Sequence, residues 1–120
     1  MAREAQSKML GLLPPELATV AVDLSVIAGS REYCFPLTAA SAVLENLLRN
    51  GVTLLGGDLW DLKDGEYYAL GESWYTNSVP GESAVIREAR VRETAGEFFA
   101  RYANATKNRV TFVVRFNSAA

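Results

Sequence analysis

An apolar stripe at helical spacing in the middle of the chain restricts the fold more than any other sequence feature. Its members are three or four residues apart and are Ala40, Val43, Leu44, Leu47 and Leu48. Polar side chains occupy the other positions, so one face of a helix would be buried and the other would meet water. Thr38 is a suitable N-cap, and Gly51 is a suitable residue just after the last turn. The spacing predicts a helix from about Ala39 to Asn50.

A second, longer helix is predicted towards the C-terminal end, followed by a strand. The helix would run from about Ser83 to Tyr102, and its apolar stripe consists of Val91, Ala95, Phe98 and Tyr102. Ile86 lies off this stripe and could face a partner or another helix. After a polar loop, apolar residues alternate with their neighbours at Val110, Phe112, Val114 and Phe116. This period of two predicts one half-buried strand.

Between the two helices the sequence predicts two strands and a tight turn. A short apolar strand ends at two successive glycines, Gly56 and Gly57, and Asp64-Gly65 is a hairpin signal further along. Paired glycines in a strand usually mark a bulge or a close backbone approach. We interpret them as a strand distortion, and an interaction site that uses Asp58 is the alternative.

Together these elements predict one α+β domain over residues 1–120, with two main helices packed on a small mixed, mainly antiparallel sheet. A chain of 120 residues can bury one core without disulfide or metal staples. Residues 1–13 suit a short helix, and residues 17–27 suit either a strand or a helix. The candidates for poor order are residues 1–16 and 117–120.

The chain contains no histidine and one cysteine, Cys34. It therefore lacks the commonest general base and zinc ligand, and it cannot form an intrachain disulfide. The net charge of −2 disfavours a nucleic-acid ligand, because phosphate binding needs a surplus of basic residues. We expect no enzyme activity, no cofactor and no metal site, with Cys34 as a small buried apolar residue.

No apolar stretch is long enough to span a bilayer, since the longest runs only from Leu17 to Val22. The N-terminus also lacks the pattern of a secretory signal, because Arg3 is followed directly by Glu4. We therefore expect a cytoplasmic protein without membrane attachment.

The region around the predicted hairpin combines carboxylates with large aromatic side chains. The carboxylates are Asp58, Asp61, Asp64 and Glu66, and the aromatics are Trp60, Tyr67, Tyr68, Trp74 and Tyr75. The carboxylates do not have EF-hand spacing, which makes metal binding the weaker interpretation. The aromatics either pack in the core or form a binding patch, and the sequence leaves both open. Carboxylates beside aromatics favour a basic protein partner over single-stranded nucleic acid.

The motifs follow one another in a distinctive order. A strand ends in Leu54-Leu55-Gly56-Gly57-Asp58, an Asp-Gly hairpin follows, and the aromatic pair Trp74-Tyr75 precedes the second helix. Over residues 24–116 this succession resembles the immunity protein 40 family of bacterial polymorphic toxin systems. The resemblance implies a non-enzymatic protein that binds a cognate toxin domain and neutralises it by occlusion.

We hypothesise that the hairpin region presents a mixed acidic and aromatic surface to a basic patch on the toxin. The candidate contact residues are Asp58, Trp60, Asp61, Asp64, Glu66, Trp74 and Tyr75. The alternative is a non-enzymatic regulatory or scaffold domain that forms a homo-oligomer through the same aromatics.

Overall fold

The computed structural model describes residues 2–24, 32–77, 79–104 and 107–116. The helices within these ranges are α1 (Ala2–Gly11), α2 (Pro15–Ala18), α3 (Leu37–Arg49) and α4 (Ala84–Arg101). The strands are β1 (Val22–Asp23), β2 (Tyr33–Pro36), β3 (Thr53–Lys63), β4 (Glu66–Tyr75), β5 (Asn108–Thr111) and β6 (Val113–Arg115).

One sheet joins all of these strands in the order β1-β2-β5-β3-β4, and β6 pairs with β3 as well. Each of these pairings is antiparallel. β3 is the central strand, because β4 lies along one edge while β5 and β6 lie in succession along the other. The predicted α+β class with a mainly antiparallel sheet is therefore confirmed.

Both long helices bury the stripes that the sequence predicts, with Tyr102 just past the end of α4. In α3 the five stripe residues are all buried, and in α4 the buried residues are Val91, Ala95, Phe98 and Phe99. They pack against one face of the sheet, which we call the helix face. That face contributes core residues from four strands, namely Phe35, Leu54, Leu59, Trp74 and Val110. Burying a side chain of this size contributes roughly 1.5–3 kcal/mol, so this layer supplies most of the driving force for folding.

Of the two residues predicted to flank α3, the one at the C-terminal end is confirmed and the one at the N-terminal end is not. The N-cap residue is Pro36, with φ −59° and ψ 146°, and no side chain caps the helix, so the prediction of Thr38 as N-cap is wrong. Pro36 ends β2 and its ring fixes φ, so the chain enters the helix directly at Leu37. Gly51 has φ +75° and its N–H donates to Leu48 O, which confirms it as the residue that ends the helix.

The N-terminal segment contributes to the core, and α1 corresponds to the short helix predicted for residues 1–13. Met9 and Leu13 are buried in the main apolar cluster. Gln6 is also buried, and its amide joins two parts of the sheet, because Nε2 donates to Phe112 O at 2.7 Å and Oε1 accepts from Tyr33 N at 3.1 Å. Its side chain thus satisfies one backbone group between β5 and β6 and another at the start of β2.

Residues 17–27, which suit either a helix or a strand, contain some of each. The end of α2 falls within this range, and β1 follows after a short turn. Residues 25–27 and the tail 117–120 lie outside the described part of the chain.

The two glycines of β3 occupy a crowded point of the sheet. A Cβ on Gly57 would lie 2.0 Å from Thr111 O and 2.9 Å from Trp74 Nε1, and one on Gly56 would lie 2.3 Å from Trp74 O. The pairing register also shifts between Leu54 and Gly56. The predicted strand distortion is confirmed, and its cause is the close approach of neighbouring backbones.

The last strand is interrupted at this same point, so the prediction of one continuous strand is wrong. Phe112 lies between β5 and β6 and is fully buried. The Thr111 carbonyl turns towards Gly57, and Thr111 Oγ1 accepts a hydrogen bond from Asp58 N at 3.0 Å. The alternation of apolar residues survives the break, since Val110 and Phe112 both belong to the core.

Gly57→Ala should lower the free energy of unfolding by about 2–3 kcal/mol, because the new methyl group would have to displace the Thr111 carbonyl. Gly96→Ala is the matched control: Gly96 lies within α4, a Cβ there meets nothing within 4 Å, and helix propensity should add about 0.5–1 kcal/mol. Urea unfolding followed by circular dichroism measures both. Equal stability of the two variants would contradict the close approach.

Gln6→Ala should destabilise the protein by about 2 kcal/mol or more, because it removes the hydrogen bond to the buried Phe112 carbonyl and the one from Tyr33 N. Ser7→Ala, at the exposed neighbouring position, should change stability by less than about 0.5 kcal/mol. The same unfolding measurement compares them, and an unchanged midpoint for Gln6→Ala would show that the Gln6 side chain does not support the sheet.

Candidate functional site

The candidate site lies on the hairpin formed by β3 and β4. Its turn consists of Asp64 and Gly65, with φ +53° and +79°, between the paired residues Lys63 and Glu66. Positive φ at both positions is what a two-residue type I′ turn requires, so the predicted hairpin is confirmed. None of the residues from 63 to 72 is buried, so this end of the hairpin meets solvent on both faces.

The pairing register decides which face of the hairpin each candidate residue occupies. Leu59 packs in the core on the helix face, so Asp58 and Trp60 on either side of it belong to the opposite face, which we call the far face. Tyr75 pairs with Gly56 and also lies on the far face. Asp61, two residues after Leu59, returns to the helix face opposite Tyr68.

Trp74 is a core residue, which corrects its assignment to the partner surface. Only 4% of it is exposed, and its ring makes edge contacts with Phe99 and Phe112 at centroid distances of 6.2 and 6.3 Å. Its indole N–H lies beside Gly57, without a hydrogen-bond partner among the described residues. The adjacent Tyr75 is 69% exposed, because successive strand residues point to opposite faces.

Trp60 is half-buried on the far face, next to the pairing between β3 and β5. Its backbone carbonyl accepts a hydrogen bond from Asn108 Nδ2 at 3.4 Å. Its indole N–H is buried and, within the described ranges, has no hydrogen-bond partner. The backbone of Trp60 therefore supports the sheet, and part of the residue remains exposed to solvent.

A shallow groove lies on the helix face at the end of the hairpin. Its lining residues are Asp61, Lys63, Asp64, Tyr68 and Leu70, and we call it the hairpin groove. Tyr68 is 47% exposed and Leu70 44% exposed. Outside the groove's lining, Glu66 accepts a hydrogen bond from the Tyr68 hydroxyl, and this bond and the negative charge of Glu66 raise the pKa of Tyr68.

Sequence reasoning did not select Tyr68 and Leu70 as contact residues. Their alternation with neighbours indicates a strand but not whether another layer covers each face. The irregularity that follows them in β4 also depends on the partner strand. Three residues of β4 lie between Ala69 and Ser73, whereas only one residue of β3 lies between their partners Trp60 and Asp58. Gly71, at φ +79°, supplies the conformation that this bulge needs, and a glycine within a strand is the one signal that could have indicated it.

Cys34 lies fully buried, as the sequence predicts, on β2. Burial raises the pKa of its thiol to about 12, so the thiol stays protonated at neutral pH. Among the described residues no group of three or more acidic, cysteine or histidine side chains could hold a metal ion. The described helices include none with the length and hydropathy to cross a membrane.

A partly buried ion pair, Arg90–Glu82, fixes the segment between β4 and α4. Arg90 donates hydrogen bonds to both carboxylate oxygens of Glu82 and, at 2.6 Å, to Asn77 O. Glu82 Oε1 also accepts from Val79 N at 3.1 Å. These hydrogen bonds, with that from Arg90 the strongest, lower the pKa of Glu82 from 4.5 to about 2. The pair therefore fixes the path of the chain next to exposed Ile86.

Comparison with known families shows which family most of the chain resembles. The model of a family described as immunity protein 40 matches residues 23–116, which include the whole hairpin and both long helices. No curated protein and no solved structure matches the chain.

The Glu82–Arg90 pair should make stability depend on pH in the acid range. Because folding lowers the pKa of Glu82, its contribution is fully present above about pH 4.5 and is lost as the pH falls towards 2. Glu82→Gln should therefore be less stable than the original protein at pH 7, and the difference should shrink between pH 4.5 and pH 2. Urea unfolding at several pH values tests this, and a constant difference would contradict it.

Proposed function

Because the chain belongs to the immunity protein 40 family, we propose that it binds a cognate bacterial toxin domain in the cytoplasm and neutralises it by occlusion. The family match over residues 23–116 is the observation that carries this proposal. An inhibitor of this kind covers an active site or a substrate channel, so it needs complementary surface and no catalytic group of its own.

The hairpin supplies a surface of suitable chemistry. From Gly56 to Asn77 the chain carries one basic residue, Lys63, and a surplus of carboxylates at Asp58, Asp61, Asp64, Glu66 and Glu72. Such a charge favours encounter with a basic surface, since opposite potentials steer association and raise its rate. The contact residues that we propose from the sequence set are Asp58, Trp60, Asp61, Asp64, Glu66 and Tyr75.

The area available is adequate for inhibition. An interface of standard size takes about 800 Å² from each partner, a small part of the 6898 Å² that the protein exposes. Aromatic side chains supply a large share of binding energy at such interfaces, and Tyr75 offers the most exposed aromatic ring of the hairpin. We propose that occlusion proceeds without a covalent step, since the thiol of Cys34 is buried and protonated.

Co-expression with the product of the adjacent upstream gene tests the proposal. In a bacterial host, this chain should restore growth against the toxicity of that product, and the two should elute as one complex in size-exclusion chromatography with light scattering. A gene with a stop codon after Met1 is the control for expression burden. Absence of both association and relief would refute toxin neutralisation, and a stable homo-oligomer that buries the hairpin would favour the self-associating regulatory domain.

A further inference from the structure

We propose that the hairpin groove is the point at which the toxin docks, and that it receives a lysine or arginine side chain from a basic segment of the toxin. This inference rests on the proposed function and specifies the partner's chemistry at one site. It also adds Tyr68 and Leu70 to the contact residues, which the sequence alone does not select.

Two of the residues that line the groove, Tyr68 and Leu70, present apolar surface to solvent. Tyr68 and Leu70 lie on β4, whose described pairings are with β3 alone, so no further strand covers them from the outer edge. Nearly half of each residue is exposed, 47% and 44%. Exposed apolar side chains of this size, grouped at one place and edged by charges, are typical of an interaction site.

The charged side chains at the groove are mainly acidic. Asp61 and Asp64 line it with Lys63, and Glu66 lies beside Tyr68, so three carboxylates outnumber one ammonium group. In the described part of the chain, neither Asp61 nor Asp64 forms an ion pair. Both carboxylates therefore keep their charge available for a group that arrives from outside.

A basic side chain satisfies both parts of this surface at once. The aliphatic stem of lysine or arginine covers apolar surface while its charged end remains at the edge. Here the stem would lie over Tyr68 and Leu70, with the tyrosine ring also attracting the cation. The charged end would then donate hydrogen bonds to Asp61 and Asp64, and charge-assisted bonds of this kind are the stronger class.

Two features argue against other occupants. A second copy of the chain, paired groove to groove about a twofold axis, would bring like charges together. An added strand along β4 would need a regular edge, but the bulge around Gly71 interrupts it after Leu70. The groove is therefore suited to recognition of a side chain by side chains, and its charge selects a basic one.

The test uses the full chain and the toxin domain encoded by the adjacent gene. The variant Asp61→Lys with Asp64→Lys should weaken the affinity about 30-fold or more, mainly by slowing association, and should flatten the dependence on salt. Leu70→Ser should weaken it about tenfold by faster dissociation. Asp61, Asp64 and Leu70 are incompletely buried, so Asp61→Lys and Leu70→Ser should keep the unfolding midpoint. Lysine in place of Asp64, whose φ is +53°, should lower the midpoint, so Asp61→Lys alone is measured as well to separate affinity from turn strain.

The matched control is Glu16→Lys with Glu93→Lys. It changes the net charge by the same amount at two exposed residues of α2 and α4, outside the hairpin. It should alter the affinity by less than about threefold, because long-range steering alone is screened at physiological salt. Equal losses for the control and the groove variant would overturn the inference, since only total charge would then matter.

The outcomes separate this inference from the proposed function. If the unaltered chain neither binds nor neutralises the toxin domain, the proposed function is wrong. If it does both and the groove variants bind equally well, only the groove inference is overturned. If the groove variants instead change the oligomeric state of the isolated chain, the occupant is a second copy and the inference is also overturned.

Discussion

The close approach of the Thr111 carbonyl to Gly57 is the contact on which the rest of the structure depends. It lies at the centre of the sheet, where β3 meets the junction between β5 and β6. Because Gly57 has no side chain, the carbonyl and the indole of Trp74 can share that space. The result is a core in which Phe112 packs against three aromatic rings, those of Phe35, Trp74 and Phe99.

This constraint also determines the geometry of the candidate site. The pairing of Gly57 with Trp74 sets the register of the first part of the hairpin, and the bulge around Gly71 resets it before the turn. Tyr75 consequently lies on the far face, whereas Asp61 and Tyr68 meet on the helix face. A shift of one residue in either strand would exchange these faces, so the acidic groove exists only in this register.

The packed core and the proposed interaction surface lie in different parts of the protein. The part of the helix face that α3 and α4 cover is almost wholly apolar, whereas the end of the hairpin has no covering layer and carries most of the hairpin's charge. Such a division suits an inhibitor, because a rigid core holds the contact side chains in place before binding and lowers the entropy lost on association. The Glu82–Arg90 pair extends this rigidity to the segment that follows the hairpin.

The sequence by itself determined the local elements, since helical periodicity, Asp64-Gly65 and Gly51 act through backbone conformations within a few residues. It also carried the family resemblance that the match over residues 23–116 confirms. Only the tertiary structure decided that Trp74 is buried while Tyr75 is exposed, that the last strand breaks at Phe112, and that Pro36 rather than Thr38 is the N-cap of α3. The physical reason is that burial of a strand residue depends on which face a distant helix covers, and a strand breaks where another backbone approaches it. The residues next to a position in the sequence determine neither of these two conditions.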